Sequence, residues 1–399
     1  MLWEILLAIA CGVTCGIFTG MVPGIHVNLV AVLLVALVPS LGIPPLLAAV
    51  VIITCAVTHT FIDSIPSIYL GAPDADQALS VLPGHRLLHD GKGHQAITYT
   101  VIGGFCALVI GCACMAAFIP AMAWLSPRIT PHIGFILLGV CIFMILREST
   151  AQKRALAFAF FLLAGACGIL SFKLPLRQPL FHLLSGLFGL SILLMSLEQS
   201  AIPSQQTSHR IDLPLLHGIK AVGGAVGIGF CAAFMPGFGS SQAAIIAKEI
   251  VGDIKDAGFL VLVGGINTAN MVISLSSAYA LAKARNGAVV AVTDLIGAIE
   301  APSLALFTIS ALIAGSVASV VALAMSRRVL SILQRIDYGN VAKVVIISIV
   351  LISFAFDSII GLLLLLTTTS IGILAQTMGV GKNHLMGCLL LPVTYFFLV

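Results

Sequence analysis

Long apolar runs separated by short polar joints set the pattern of this chain. Most are about 15 to 25 residues long, enough for a helix to cross a hydrocarbon core of about 30 Å. Runs lie near 2–22, 27–38, 44–62, 96–125, 131–147, 152–172 and 180–198. A polar stretch from Glu198 to Leu213 interrupts, and further runs follow at 216–235, 240–251, 257–281, 302–325, 341–356, 358–376 and 384–398, with a weaker one at 288–299. The strict apolar–polar alternation of a membrane β-barrel is absent, so the pattern predicts an all-α polytopic integral membrane protein. It divides into a first membrane repeat at 1–198, a connecting loop at 199–215 and a second membrane repeat at 216–399.

The two halves share more than a count of helices. Gly16, Pro23, Gly24 and Ala31 match Gly229, Pro236, Gly237 and Ala244 at one constant offset, and Gly12, Gly16 and Gly20 match Ala225, Gly229 and Ala233. Small residues four apart leave a helix face on which another backbone can approach closely. After each Pro-Gly comes a run of only about twelve residues, too short to span a bilayer. Paired, interrupted segments in two halves point to a transporter site built from broken or re-entrant helices. The basic loops around Arg147, Lys153 and Arg154 and around Arg327, Arg328, Arg335 and Lys343 fall after different segments of their halves. Both are cytoplasmic only if the repeats are inverted. The same rule places the N-terminus outside. No basic region precedes the first apolar run, which therefore reads as a mature helix and not a signal peptide.

Composition narrows the class further. Of 399 residues 60% are hydrophobic and 9% charged, with a mean hydropathy of +1.16, which excludes a soluble globule. The net charge of +4 is spread over loops without a basic face, so nucleic acid is not a partner. The ten cysteines lie in apolar runs and read as small buried hydrophobes, with no metal site implied. No P-loop, G-x-S-x-G or H-E-x-x-H occurs, so neither ATP hydrolysis nor a familiar enzyme activity is expected, and no cofactor beyond a transported sodium ion or proton.

Candidate binding residues cluster at the breaks. Around Pro23, Gly24, His26 and Asn28 the helix should open and leave backbone amides and carbonyls unpaired, which favours an anion at the start of the next helix. The equivalent place holds Pro236, Gly237, Ser240 and Ser241. A helix kink or a tight turn is the competing explanation. His59 and Asp63 lie one turn apart and are candidates for ion coupling, unless Asp63 already sits at the interface. Asn267 and Asn270 supply polar atoms in the matching region, for a shared cavity or for helix–helix hydrogen bonds. Residues 71–95, with His85, His89 and His94, read as a solvated loop, and Asp357 as an interfacial turn.

At these residues the chain resembles the TctA-like permeases, the large membrane subunits of tripartite tricarboxylate transporters. The likeness rests on Gly12, Gly16, Pro23 and Gly24 with their second copy around Gly229, Pro236 and Gly237, on the Asp90-Gly91-Lys92-Gly93 stretch, and on the run from Asn267 to Ala288. Its shorter length, and Thr58-His59-Thr60-Phe61 in place of a Gly-rich stretch, look more like a stand-alone archaeal-type form. The resemblance implies a multi-pass protein of the cell membrane, a secondary active transporter of di- or tricarboxylate-like anions coupled to sodium or protons. A small membrane subunit and a soluble binding protein are the partners it implies, and a homodimer is open. The alternative is a flippase or exporter of a polyprenyl phosphate anion.

Overall fold

The computed structural model describes residues 2–22, 27–71, 77–196, 211–235, 239–284, 286–333 and 338–398. The first half contains α1 (Leu2–Met21), α2 (Val27–Leu41), α3 (Pro45–Ile62), α4 (Ser64–Leu70), α5 (Val81–His89), α6 (Gly93–Ala113), α7 (Met115–Ile129), α8 (Ile133–Leu146) and α9 (Ala151–Lys173). It ends with α10 (Pro179–Leu184), a π-helical turn (Ser185–Leu190) and α11 (Ser191–Ser196). The second half contains α12 (Leu215–Phe234), α13 (Ser240–Val251), α14 (Lys255–Leu281), α15 (Gly287–Ile296), α16 (Ala301–Leu333), α17 (Tyr338–Thr377) and α18 (Gly387–Leu398). Among the described residues nine helical stretches are long and apolar enough to cross a membrane, and none is a strand. The protein is all-α and polytopic.

Side-chain distribution follows from the solvent. Large apolar residues such as Trp3, Phe135, Leu215 and Phe396 are exposed on the outside, where lipid would replace water. Lipid tails are as apolar as leucine, so hydrophobicity alone does not drive the helices together, and close backbone contact matters instead. On α1, Gly12 lies against Thr54, Gly16 against Cys55 and Thr58, and Gly20 against Ile62, so α1 and α3 run parallel. In the second half Ala225 lies against Gly265 and Gly229 against Ala269, so α12 and α14 also run parallel. The small residues read from the sequence as a repeat are the ones that make both contacts.

Four helices form the centre. Thr100 packs on Gly264 and Gly104 on Thr268, which sets α6 parallel to α14. Gly315 meets Val57, and Tyr69 reaches Ser326, which sets α16 parallel to the α3–α4 rod. Leu108 against Gly315 and His94 against Ser326 make α6 and α16 antiparallel. Thus α1, α3 and α16 run one way, and α6, α12 and α14 the other.

Three expectations need correction. The run at 96–125 is two helices, α6 and α7, divided at Cys114, where the backbone leaves helical geometry. Residues 77–95 are not a solvated loop, because α5 buries Val81, His85 and Leu88 against the bundle. The turn expected at Asp357 is present, since α17 breaks at Asp357 and Ser358, but its carboxylate is not solvated: it turns inward, where only 3% of its side chain is exposed. The break itself coincides with the boundary between the predicted runs at 341–356 and 358–376.

A side chain at Gly103 would collide with the Val261 carbonyl, a backbone obstacle that cannot rotate away. Gly103→Leu should lower the stability of the detergent-solubilised protein by about 1–3 kcal/mol or more, read as a fall in melting temperature. Gly227→Ala, where nothing lies within 4 Å, should leave it unchanged or raise it by up to about 1 kcal/mol. Equal effects at both positions would show that close backbone packing does not hold the centre together.

Candidate functional site

The α3 and α14 rods cross in the interior, and their polar residues meet there. Asp63 closes α3 and is 3% exposed. Its Oδ2 accepts a hydrogen bond from Asn267 Nδ2 at 2.7 Å, and its Oδ1 accepts one from Gln77 Nε2 at 3.2 Å. One turn earlier Thr60 and Thr268 share a hydrogen bond between their hydroxyls at 3.0 Å. Asp63 is therefore buried inside the helix bundle. A carboxylate so placed loses its hydration, and amide donors on both oxygens offset part of that cost.

His59 lies one turn before Asp63 and is also buried. Its Nδ1 shares a hydrogen bond with Thr19 Oγ1 on α1 at 3.0 Å, so the imidazole ties α3 to α1 while the carboxylate ties α3 to α14. Gly20, in the last turn of α1, packs on Ile62 and the Asp63 backbone, which brings the end of α1 to the same level. Pro23, Gly24 and His26 lie outside the described residues, as do Pro236 and Gly237.

The second break is framed by the residues around it. α13 starts at Ser240 with Gly239 at its N-cap, and Ser240 and Ser241 are each 1% exposed. Asn270 Nδ2 donates to Ser240 Oγ at 3.2 Å, which holds this helix start against the middle of α14. Asn267 and Asn270 thus form one polar strip, with Asp63 at one end and the start of α13 at the other. Asn28 stands elsewhere: it opens α2 beside Gly287 at the start of α15. The structure brings together Asp63, Asn267, Asn270 and Ser240, and sets Asn28 beside a different helix start.

Helix N-termini in general present backbone amides without intrahelical partners and about half a positive charge, which favours negative charge nearby. The serines and Asn270 add hydrogen-bonding atoms at the same place. Among the described residues no three His, Cys, Asp or Glu side chains gather where a metal ion could be held.

The sequence profile of the tripartite tricarboxylate transporter TctA family matches residues 6–387. The chain belongs to the TctA family. An uncharacterized protein of Methanocaldococcus jannaschii is 28% identical over 408 residues, which cover 99% of this chain and 98% of that protein. No solved structure matches. The protein is accordingly a multi-pass membrane permease of the tricarboxylate-transporter type, and its length suits the short archaeal-type form.

Sequence reasoning missed two parts of this TctA protein's interior. Gln77 was grouped with a loop, and nothing local to it signals that it reaches Asp63. The other part is a buried triad at the break of α17. His182 Nε2 lies 2.7 Å from Asp357 Oδ2 and its Nδ1 lies 2.8 Å from Ser353 Oγ, while the Arg177 and Gln178 amides donate to the carboxylate at 2.5 and 3.0 Å. The available signals were His182 inside an apolar run and Asp357 at the joint between two of them.

The Asp63–Asn267 bond is testable by a double-mutant cycle. Asn267→Ala should cost about 1–3 kcal/mol, because it strips the donor from a buried carboxylate oxygen. In an Asp63→Asn background it should cost less, with a coupling of about 0.5–3 kcal/mol by thermal or denaturant unfolding. Strict additivity would mean that the two side chains do not depend on each other.

Proposed function

We propose that this permease is a secondary active carrier of small carboxylate anions that binds its substrate at the start of α13, with Asp63 as the coupling group. The observation that carries this reading is the buried start of α13, with Ser240 and Asn270 joined there and Asp63 on the same polar strip of α14. One end of the strip favours negative charge and the other holds a carboxylate that can take a sodium ion or a proton. Anion and cation then neutralise each other in a medium where an unpaired charge is costly.

The two halves fit inverted repeats. The opposite directions of α1 with α3 and of α12 with α14 support this arrangement, as do the matching glycine contacts. Asn28 beside the start of α15 is the first half's contribution. Asp63, Asn267, Ser240 and Ser241 are each at most 3% exposed, and this enclosure favours a soluble anion over a polyprenyl phosphate, which would need a lateral opening to lipid. A small membrane subunit and a soluble binding protein, the remaining parts of a tripartite system, are the partners the family suggests.

The test is thermal stability of the purified protein against di- and tricarboxylates, with and without sodium and at two pH values. A ligand at 100 times its dissociation constant stabilises by about 2.7 kcal/mol. Ser240→Ala should weaken the response to the active anion about 2- to 12-fold, the equivalent of about 0.5–1.5 kcal/mol for a lost hydrogen bond. Asp63→Asn should remove its dependence on sodium or pH. No response to any carboxylate, or a response that Ser240→Ala and Asp63→Asn leave intact, would overturn the assignment.

A further inference from the structure

At the end of the bundle where α6 and α14 begin lies a cavity of about 430 Å³, bounded by α5, α13, the start of α14, Phe188 and Ile192, and the segment 381–383. Its charged lining divides into paired and unpaired groups. Arg86 pairs with Asp256 at 3.4 Å, Glu249 pairs with Arg147, and Asp253 accepts from the Lys255 backbone amide. Lys248 rests over the Phe259 ring. Lys382 is different. It is 7% exposed, and its Nζ has no hydrogen-bond partner. Beside it the ring of His85, 4% exposed, leaves both nitrogens without a partner.

A buried ammonium with three unmade hydrogen bonds is costly, and its retention beside a cavity has an economical explanation. We propose that this cavity is a second anion site, where a small anion bearing carboxylate or phosphate oxygens binds the Lys382 ammonium. Lys248 supplies a second cation to the cavity wall, while Phe188, Ile245 and Phe259 give apolar walls. The site differs from the start of α13 in its residues: Ser240 does not line the cavity, and Ile245, the first cavity residue on that helix, lies five residues further along, about 7–8 Å. It goes beyond the function proposed above and does not depend on it.

The empty site also has a proton signature. Burial pushes the Lys382 ammonium down to about 7, and burial, with His89 and Lys382 nearby, pushes His85 down to about 3. At pH 8 Lys382 and His85 are therefore mostly uncharged, and a bound anion restores the Lys382 ammonium. Binding should take up roughly nine-tenths of a proton at that pH and weaken as pH rises further.

The probes are citrate and inorganic phosphate, titrated into the purified full-length protein by calorimetry in two buffers of different ionisation enthalpy. Wild type should bind at least one with proton uptake at pH 8. Lys382→Met, which removes a buried charge and so should not harm folding, should weaken that event at least 10-fold and abolish the uptake. Ser240→Ala should leave it in place, so failure here and failure of the α13 assignment are distinguishable. Nanodiscs with and without an anionic phospholipid separate the sources, since a stabilisation by anionic lipid alone that Lys382→Met removes assigns the ligand as a headgroup. If wild type responds to none of the three, or if Lys382→Met responds to them as wild type does, the cavity is not an anion site.

Discussion

The hydrogen bond between Asp63 and Asn267 depends on how closely α3 and α14 approach, and most of the interior serves that approach. A carboxylate in a membrane bundle has no water to satisfy it, and its donors must come from neighbouring helices. Short side chains such as Asn and Thr bridge two helices only where the backbones come close. The glycines of α1 and α6 provide that closeness: Gly20 sits on the Asp63 backbone, and Gly104 sits on Thr268 one residue from Asn267. A larger residue at either place would part the helices and leave the carboxylate without its donor.

The same reasoning explains why polar residues gather in a strip and are not scattered. Thr60 meets Thr268, Asp63 meets Asn267, and Ser240 meets Asn270, so one face of α14 satisfies three partners from two other helices. Each bond taken alone is worth about 0.5–1.5 kcal/mol net. Their greater effect is to fix the register of α14 against α3 and α13, because a slip of one residue would orphan all three at once. The start of α13 is thereby held against the middle of α14.

Much of this was legible in the residues. Glycine spacing marked the α1–α3 and α12–α14 contacts, the short run after the second Pro-Gly gave α13 with its observed ends, and Asn267 and Asn270 were readable as polar atoms in an apolar run. What sequence could not supply was long-range pairing. Gln77 reaches Asp63 from a polar stretch with no periodicity, and His182 reaches Asp357 across 175 positions. α5 was misread for a related reason: its histidines, arginine and glycine resemble a loop, and only the bundle around it shows that His85 and Leu88 face inward.

The two ends of this architecture differ in what it costs to separate them. In the glycine-packed centre, parting α3 from α14 or α6 from α14 would orphan buried polar atoms and forfeit close contacts on both sides, losses that add up bond by bond. At the charged end the joints are Arg86 with Asp256 and Arg147 with Glu249, where both arginines are more than half exposed. Exposed ion pairs of this kind contribute about 0–1 kcal/mol each, because water and salt replace the partner when the pair opens. Separating the ion pairs at the charged end therefore costs less than parting α3 from α14.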